Sequence, residues 1–79
     1  MAQKIYVEVV ARFRTDGKPI PLWMIWEDGR KFEIDRVLDI WRAASLKAGG
    51  LGSRYTVRIL GKERYLYYDE NRWFVKGAD

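Results

Sequence analysis

The sequence predicts an all-β protein: a small, strongly bent antiparallel sheet closing into an SH3-like barrel of five to six strands, in a single domain over residues 1–79. Three observations lead there. Short runs of alternating or two-sided apolar residues recur along the chain. Turns rich in Gly, Asp and Asn separate them, and no segment carries a helical period that a strand reading cannot also accommodate.

The first run, Ile5 to Arg14, alternates cleanly. Ile5, Val7, Val9, Ala11 and Phe13 share one face, and Tyr6, Glu8, Val10, Arg12 and Arg14 the other, which describes a strand with one buried side. Thr15-Asp16-Gly17-Lys18 then turns the chain. Pro19 and Pro21 place the start of the second strand at an edge or a bulge, because proline cannot donate to a ladder. From Leu22 to Trp26 both faces are apolar, so the strand is covered on two sides or meets a partner on one. Asp28-Gly29 predicts a two-residue type I′ turn, with Trp, Met and Ile on one arm of the hairpin answering Phe and Ile on the other.

Lys31 to Asp35 continues as a strand, and the segment after it reads two ways. Ile34, Val37, Leu38 and Trp41 have helical spacing, with Asp35 as a cap and Gly49-Gly50 as a stop. Against this, Val37-Leu38-Asp39-Ile40-Trp41 is rich in strand formers, and a bulge near Asp35-Arg36 restores alternation. The bent strand through about Arg42 is the preferred reading, with room for one short helix within 36–48. Ala43 to Arg54, holding Gly49, Gly50 and Gly52, reads as a long loop with one helical turn at Ala43 to Lys47. Three strands follow at Tyr55–Leu60, Arg64–Tyr68 and Arg72–Lys76, joined by a II′-like turn at Gly61-Lys62 and a slightly longer one at Asp69-Glu70-Asn71.

Composition narrows the chemistry. With no cysteine and no histidine, the chain lacks disulfides and the usual ligands for zinc, haem and iron–sulfur clusters. The same absence removes the commonest general acid–base and the strongest neutral-pH nucleophile. Stability therefore comes from packing, for which there are twelve aromatic residues and 48% hydrophobic residues. Glu27 and Asp28 form a carboxylate pair, but at a hairpin tip both are solvated. Ser45 and Ser53 have no activating neighbour, and Lys47 to Ser53 has the glycines of a phosphate loop without its spacing. No enzyme and no cofactor is expected. The N-terminus has no signal-peptide pattern, and Ile20 to Trp26, the longest uncharged apolar run, is far short of a membrane span. A cytoplasmic protein, prokaryotic in size and style and not bound to membrane, is the expectation.

Charge points to partners. From Arg42 to Arg64 there are six basic residues against one acid, whereas the rest of the chain holds nine basic and ten acidic residues. Arg42, Lys47, Arg54, Arg58, Lys62 and Arg64, interleaved with Tyr55, Tyr65 and Tyr67, have the composition that tracks phosphates and stacks bases, with Tyr55 or Tyr65 as the stacking platform. DNA or RNA is the first expected partner. The alternative is a homodimer or a protein interface, including one with an acidic protein, built on an aromatic surface around Trp23 and Trp26.

Trp26 to Arg42, followed by Tyr55-Thr56-Val57, Tyr65-Leu66-Tyr67-Tyr68-Asp69 and Arg72-Trp73-Phe74-Val75, resembles a family of small bacterial domains of unknown function. Members occur alone or beside the C-terminal region of translesion-polymerase-like proteins. The resemblance covers about residues 20 to 76 and rests on strand and turn residues, so it brings no functional residue with it. It implies DNA-related work.

Overall fold

A computed structural model describes residues 4–44 and 51–77. They form seven strands: β1 (Lys4–Phe13), β2 (Pro19–Ile25), β3 (Lys31–Glu33), β4 (Arg36–Ala44), β5 (Leu51–Ile59), β6 (Lys62–Asp69) and β7 (Arg72–Lys76). All neighbours pair antiparallel, in the order β3-β2-β1-β7-β6-β5-β4. The sheet is strongly curled into a half-barrel, and there is no helix among the described residues. None is therefore long and apolar enough to cross a membrane.

Two places make the curl. β1 pairs through Lys4–Val7 with β7 and through Glu8–Phe13 with β2, so one strand serves both halves of the sheet. At Ile34 and Asp35 the chain changes partner: the Ile34 amide donates to the Leu22 carbonyl (2.9 Å) and the Asp35 amide to the Arg58 carbonyl (2.9 Å). The predicted single bent strand is thereby divided into β3 and β4, which raises the expected five to six strands to seven.

The helical spacing of 34–41 now has a physical source. The change of partner at Asp35 and a bulge between Val37 and Asp39 each insert one residue into the alternation. Ile34, Val37 and Ile40 consequently all face the core at intervals of three, which imitates a helix. The short helix is not present over Arg36–Ala44, and the remainder of 36–48 lies outside the described residues. The loop predicted from Ala43 to Arg54 is also shorter, because β4 reaches Ala44 and β5 begins at Leu51, where Ala44 and Leu51 are register partners.

The turns correct the sequence reading in detail. Ile59 pairs with Lys62 and Asp69 with Arg72, which leaves two-residue loops at Leu60-Gly61 and Glu70-Asn71. All four loop residues have positive φ (52°, 75°, 51° and 63°), the type I′ geometry, in place of the II′-like and longer turns. Asp28-Gly29 is not a two-residue turn. Trp26 donates to Arg30 (2.8 Å) and Gly29 to Trp26 (2.9 Å), so Glu27-Asp28-Gly29 is a three-residue loop with only Gly29 at positive φ. Thr15-Asp16-Gly17 repeats it, with Arg14 donating to Lys18 (3.1 Å) and Gly17 to Arg14 (2.9 Å). In both loops the aspartate accepts from the amide two residues on, Lys18 or Arg30, at 3.0 Å.

The core lies in the hollow of the curl. Met24, Ile34, Tyr55, Val57, Ile59, Leu66 and Trp73 form it, with Val7, Val9, Ala11, Phe32 and Val75 packed against them. Full burial of a residue such as Val57 or Leu66 contributes about 1.5–3 kcal/mol. Tyr55 is the link across the hollow: its hydroxyl donates to the Pro19 carbonyl at 2.6 Å, and its ring packs on Trp73 with centroids 5.2 Å apart. The bond joins β5 to the start of β2, on opposite walls.

Tyr55→Phe should remove this bond, leave the Pro19 carbonyl unsatisfied and lower stability by about 1–3 kcal/mol, read from urea unfolding midpoints. Burial, and after it the nearby Tyr68 and Asp16, push the Tyr55 hydroxyl above its ordinary pKa. The folded state thus favours the neutral phenol. Its contribution is complete below about pH 10 and is lost as pH rises through the raised folded-state value. The Tyr55→Phe protein should lose less stability over that alkaline range than the wild type.

Candidate nucleic-acid interface

Alternation along each strand decides which side chains leave the core, and the register decides which of them meet. On the outer face Trp41 of β4 stands opposite Arg54 of β5, Arg54 opposite Tyr67 of β6, Tyr67 opposite Phe74 of β7, and Phe74 opposite Tyr6 of β1. Five adjacent strands thus contribute to one row, about 19 Å long at the usual strand spacing of roughly 4.8 Å. Tyr65 stands beside it, one outward position along β6 from Tyr67 and opposite Thr56.

The row is held by ring packing. Tyr67 and Phe74 stack with centroids 5.2 Å apart and planes within 10°, and Tyr6 meets Phe74 edge-on at 5.7 Å. Cations lie on the rings: Arg72 over Tyr6 at 3.9 Å, Lys4 over Phe74 at 4.8 Å and Lys76 over Tyr67 at 4.9 Å. Arg54 lies against both Trp41 (4.7 Å) and Tyr65 (4.6 Å), and its buried Nε has no hydrogen-bond partner. Trp41, Tyr65 and Tyr6 nevertheless keep about half their surface open, at 54%, 52% and 45%.

Acidic residues stand near this face as well: Glu63 opposite Arg58, Asp69 opposite Arg72, and Asp39 opposite Thr56. Among the described residues, however, the ion pairs within 4 Å are Arg14–Asp16 (3.6 Å) and Arg30–Asp28 (2.6 Å), both inside turns. At the second turn the Arg30 amide, followed by its guanidinium, holds the Asp28 carboxyl below the ordinary value. No outer-face cation forms an ion pair within 4 Å with a described residue.

The basic residues singled out in the sequence do not converge on one surface. Arg54, Arg58 and Tyr65 belong to the outer face. Lys62 and Arg64 fall in the inward rows opposite Ile59 and Val57, and border a groove at the open end of the hollow. Arg42 is exposed opposite Ser53, in the inward row that contains Tyr68, and Lys47 lies outside the described residues. Tyr55, expected as a stacking platform, is 1% exposed and presents no surface to a base. Nor do Trp23 and Trp26 share a surface. Trp23 stands outward opposite Val10, whereas Trp26 packs against the core and lines the groove.

Sequence reasoning found Tyr67 but missed Tyr6, Phe74, Lys4, Arg72 and Lys76, because it looked for aromatic and basic residues close together in the chain. The signal was there in the alternation, which sets Tyr6 apart from Ile5 and Val7, but only the register brings it to Phe74. Compared with protein-family models, curated proteins and solved structures, the chain finds no match in any of the three.

Arg54→Ala should expose both the Trp41 and Tyr65 faces and cost about 1–2 kcal/mol, because it removes two cation–π interactions at once. Trp41 emission should shift to longer wavelength. Arg54→Lys should recover only part of that stability, since an ammonium cannot lie flat between two rings.

Proposed function

We propose that the chain is a non-enzymatic cytoplasmic module that holds single-stranded DNA or RNA on the outer face of its sheet. The observation that supports this is the five-strand row of rings and cations from Trp41 to Tyr6. Bases that are not paired can stack on an exposed ring of a sheet, whereas those inside a duplex cannot reach one. Trp41, Tyr65 and Tyr6 serve as the stacking rings. Lys4, Arg58, Arg72 and Lys76 serve the phosphates, and Arg54 braces two of the rings. A rigid sheet suits the task, because its rings are held before the ligand arrives. The handover of hydrogen bonds at Ile34-Asp35 favours reading the half-barrel as an SH3-like closure.

A second reading, a homodimer or protein interface, draws on Val10 and Trp23. They oppose each other across β1 and β2, and both are exposed. Association there would be indifferent to salt and abolished by Trp23→Glu, as read by sedimentation.

Anisotropy titrations of labelled single strands separate the two. With four cations on phosphates, affinity should fall about fiftyfold between 50 and 200 mM salt. Trp41→Ala and Tyr65→Ala should each weaken binding by about 1–3 kcal/mol, and Tyr55→Phe should leave it unchanged at a temperature where the variant is folded. Absence of binding at the lower salt rejects the nucleic-acid reading.

A further inference from the structure

β6 and β7 leave their hairpin paired and then part. Their ladder runs through Asp69↔Arg72, Tyr68↔Trp73 and Tyr67↔Phe74 and stops there. β6 nevertheless continues back to Lys62, paired with β5, and β7 continues to Lys76, paired with β1. The alternation of antiparallel hydrogen bonding fixes what faces the gap. Ile59 and Lys62 close a two-residue hairpin and bond to each other, so the main chain of Lys62, Arg64 and Leu66 turns to β5. The amides and carbonyls of Glu63 and Tyr65 turn the other way. Counting from Asp69↔Arg72, the main chain of Lys76 turns toward the gap from the opposite side. Among the described residues no strand pairs with either edge here.

A groove of about 640 Å³ opens at this parting, within the range of pockets that bind ligands. Its apolar lining includes Met24, Trp26, Phe32, Val57, Ile59 and Val75, and the cations Lys62 and Arg64, in the inward rows, stand around it. Glu63 and Tyr65 border it too, although their side chains belong to the outward rows, so what they offer the groove is main chain. Leu60 borders it from the β5–β6 turn. It occupies a type I′ position with φ 52°, where Asn, Asp or Gly is preferred, and is 76% exposed. A strained, solvated leucine at the edge of an apolar groove suits a partner's side chain better than it suits the turn.

We propose that the parting of β6 and β7 is a strand-addition site for an extended segment of a partner protein, one in which apolar residues alternate and acidic residues flank them. The segment pairs its main chain with Glu63 and Tyr65. Its apolar side chains enter the groove over Val57 and Ile59, and its carboxylates meet Lys62 and Arg64. Unpaired strand edges select a peptide over a small amphiphile, since only another main chain satisfies amides and carbonyls in sequence. The cationic surround selects acidic flanks. This site adjoins the stacking row, whose Tyr65 ring faces outward while its main chain faces the gap, and its test reads peptide rather than nucleic acid, so the two readings stand or fall separately.

The test is selection from a displayed library of random linear peptides on the whole chain, followed by amide hydrogen exchange with the best synthetic peptide. In the free protein the Glu63 and Tyr65 amides should exchange at least about tenfold faster than those of Arg64 and Leu66. The bound peptide should slow them by about tenfold or more, and N-methylation at its alternate pairing positions should abolish binding. Lys62→Glu and Arg64→Glu, both exposed, should weaken the peptide about tenfold while leaving the far-ultraviolet spectrum unchanged. Four results overturn the proposal: Glu63 and Tyr65 amides already protected in free monomer, no enrichment of peptides, enriched peptides that leave those amides unprotected, or protection that grows with protein concentration alone. The last would assign the edge to a second copy.

Discussion

The hydrogen bond from the Tyr55 hydroxyl to the Pro19 carbonyl spans the hollow of the sheet between residues 36 positions apart in the chain. A single curled sheet buries apolar side chains only while its two walls stay close, and hydrophobic contact by itself does not fix the distance between them. Tyr55 does so with a directional bond. Its ring lies on Trp73 on one side of the core, and its hydroxyl removes the need to hydrate a carbonyl at the start of β2, where Pro19 and Pro21 are both buried. The change of partner at Ile34-Asp35 closes the same hollow through the main chain. Together they let a chain of 79 residues without disulfides enclose a core.

Curling gives the two faces of the sheet different work. The inner face is filled by Val57, Leu66, Tyr55 and Trp73, and opens where β6 leaves β7. The outer face carries rings as well, but they are covered to different extents by neighbours and cations: Phe74 is buried under Tyr6, Tyr67 and Lys4, and the exposed Trp41 is covered in part by Arg54. Cations laid on rings cost little desolvation, since the charge keeps one side to water. Such a face presents charge to water and still offers aromatic surface at Trp41, Tyr65 and Tyr6.

Much of the fold was legible in the residues. The clean alternation of β1 predicted both its faces as far as Arg12, although Phe13, expected on the buried side, is exposed at the strand's end, and the paired Asp-Gly steps at 16–17 and 28–29 marked the two loops correctly even though they are three residues long. The segment after Ile34 misled for a definite reason: two single-residue insertions into a strand alternation reproduce the spacing of a helix. Turn types were misread because Leu60 and Glu70 do not advertise positive φ, and only the register of the flanking strands imposes it.

The candidate site was less legible, and the difference is physical. Composition and alternation alone determined the absence of histidine and cysteine chemistry, the all-β class, the positive excess and the supply of rings, because these depend on residue type and on neighbours one or two positions away. Which rings meet which cations depends on register across five strands that are distant in the chain. The tertiary structure decided that Tyr55 is a core brace rather than a platform, that Trp23 and Trp26 face opposite ways, and that Lys62 and Arg64 stand with the groove while Arg54 stands with the rings. A strand has two faces, so residues side by side in sequence are sent to opposite surfaces, and only long-range pairing assembles a surface from them.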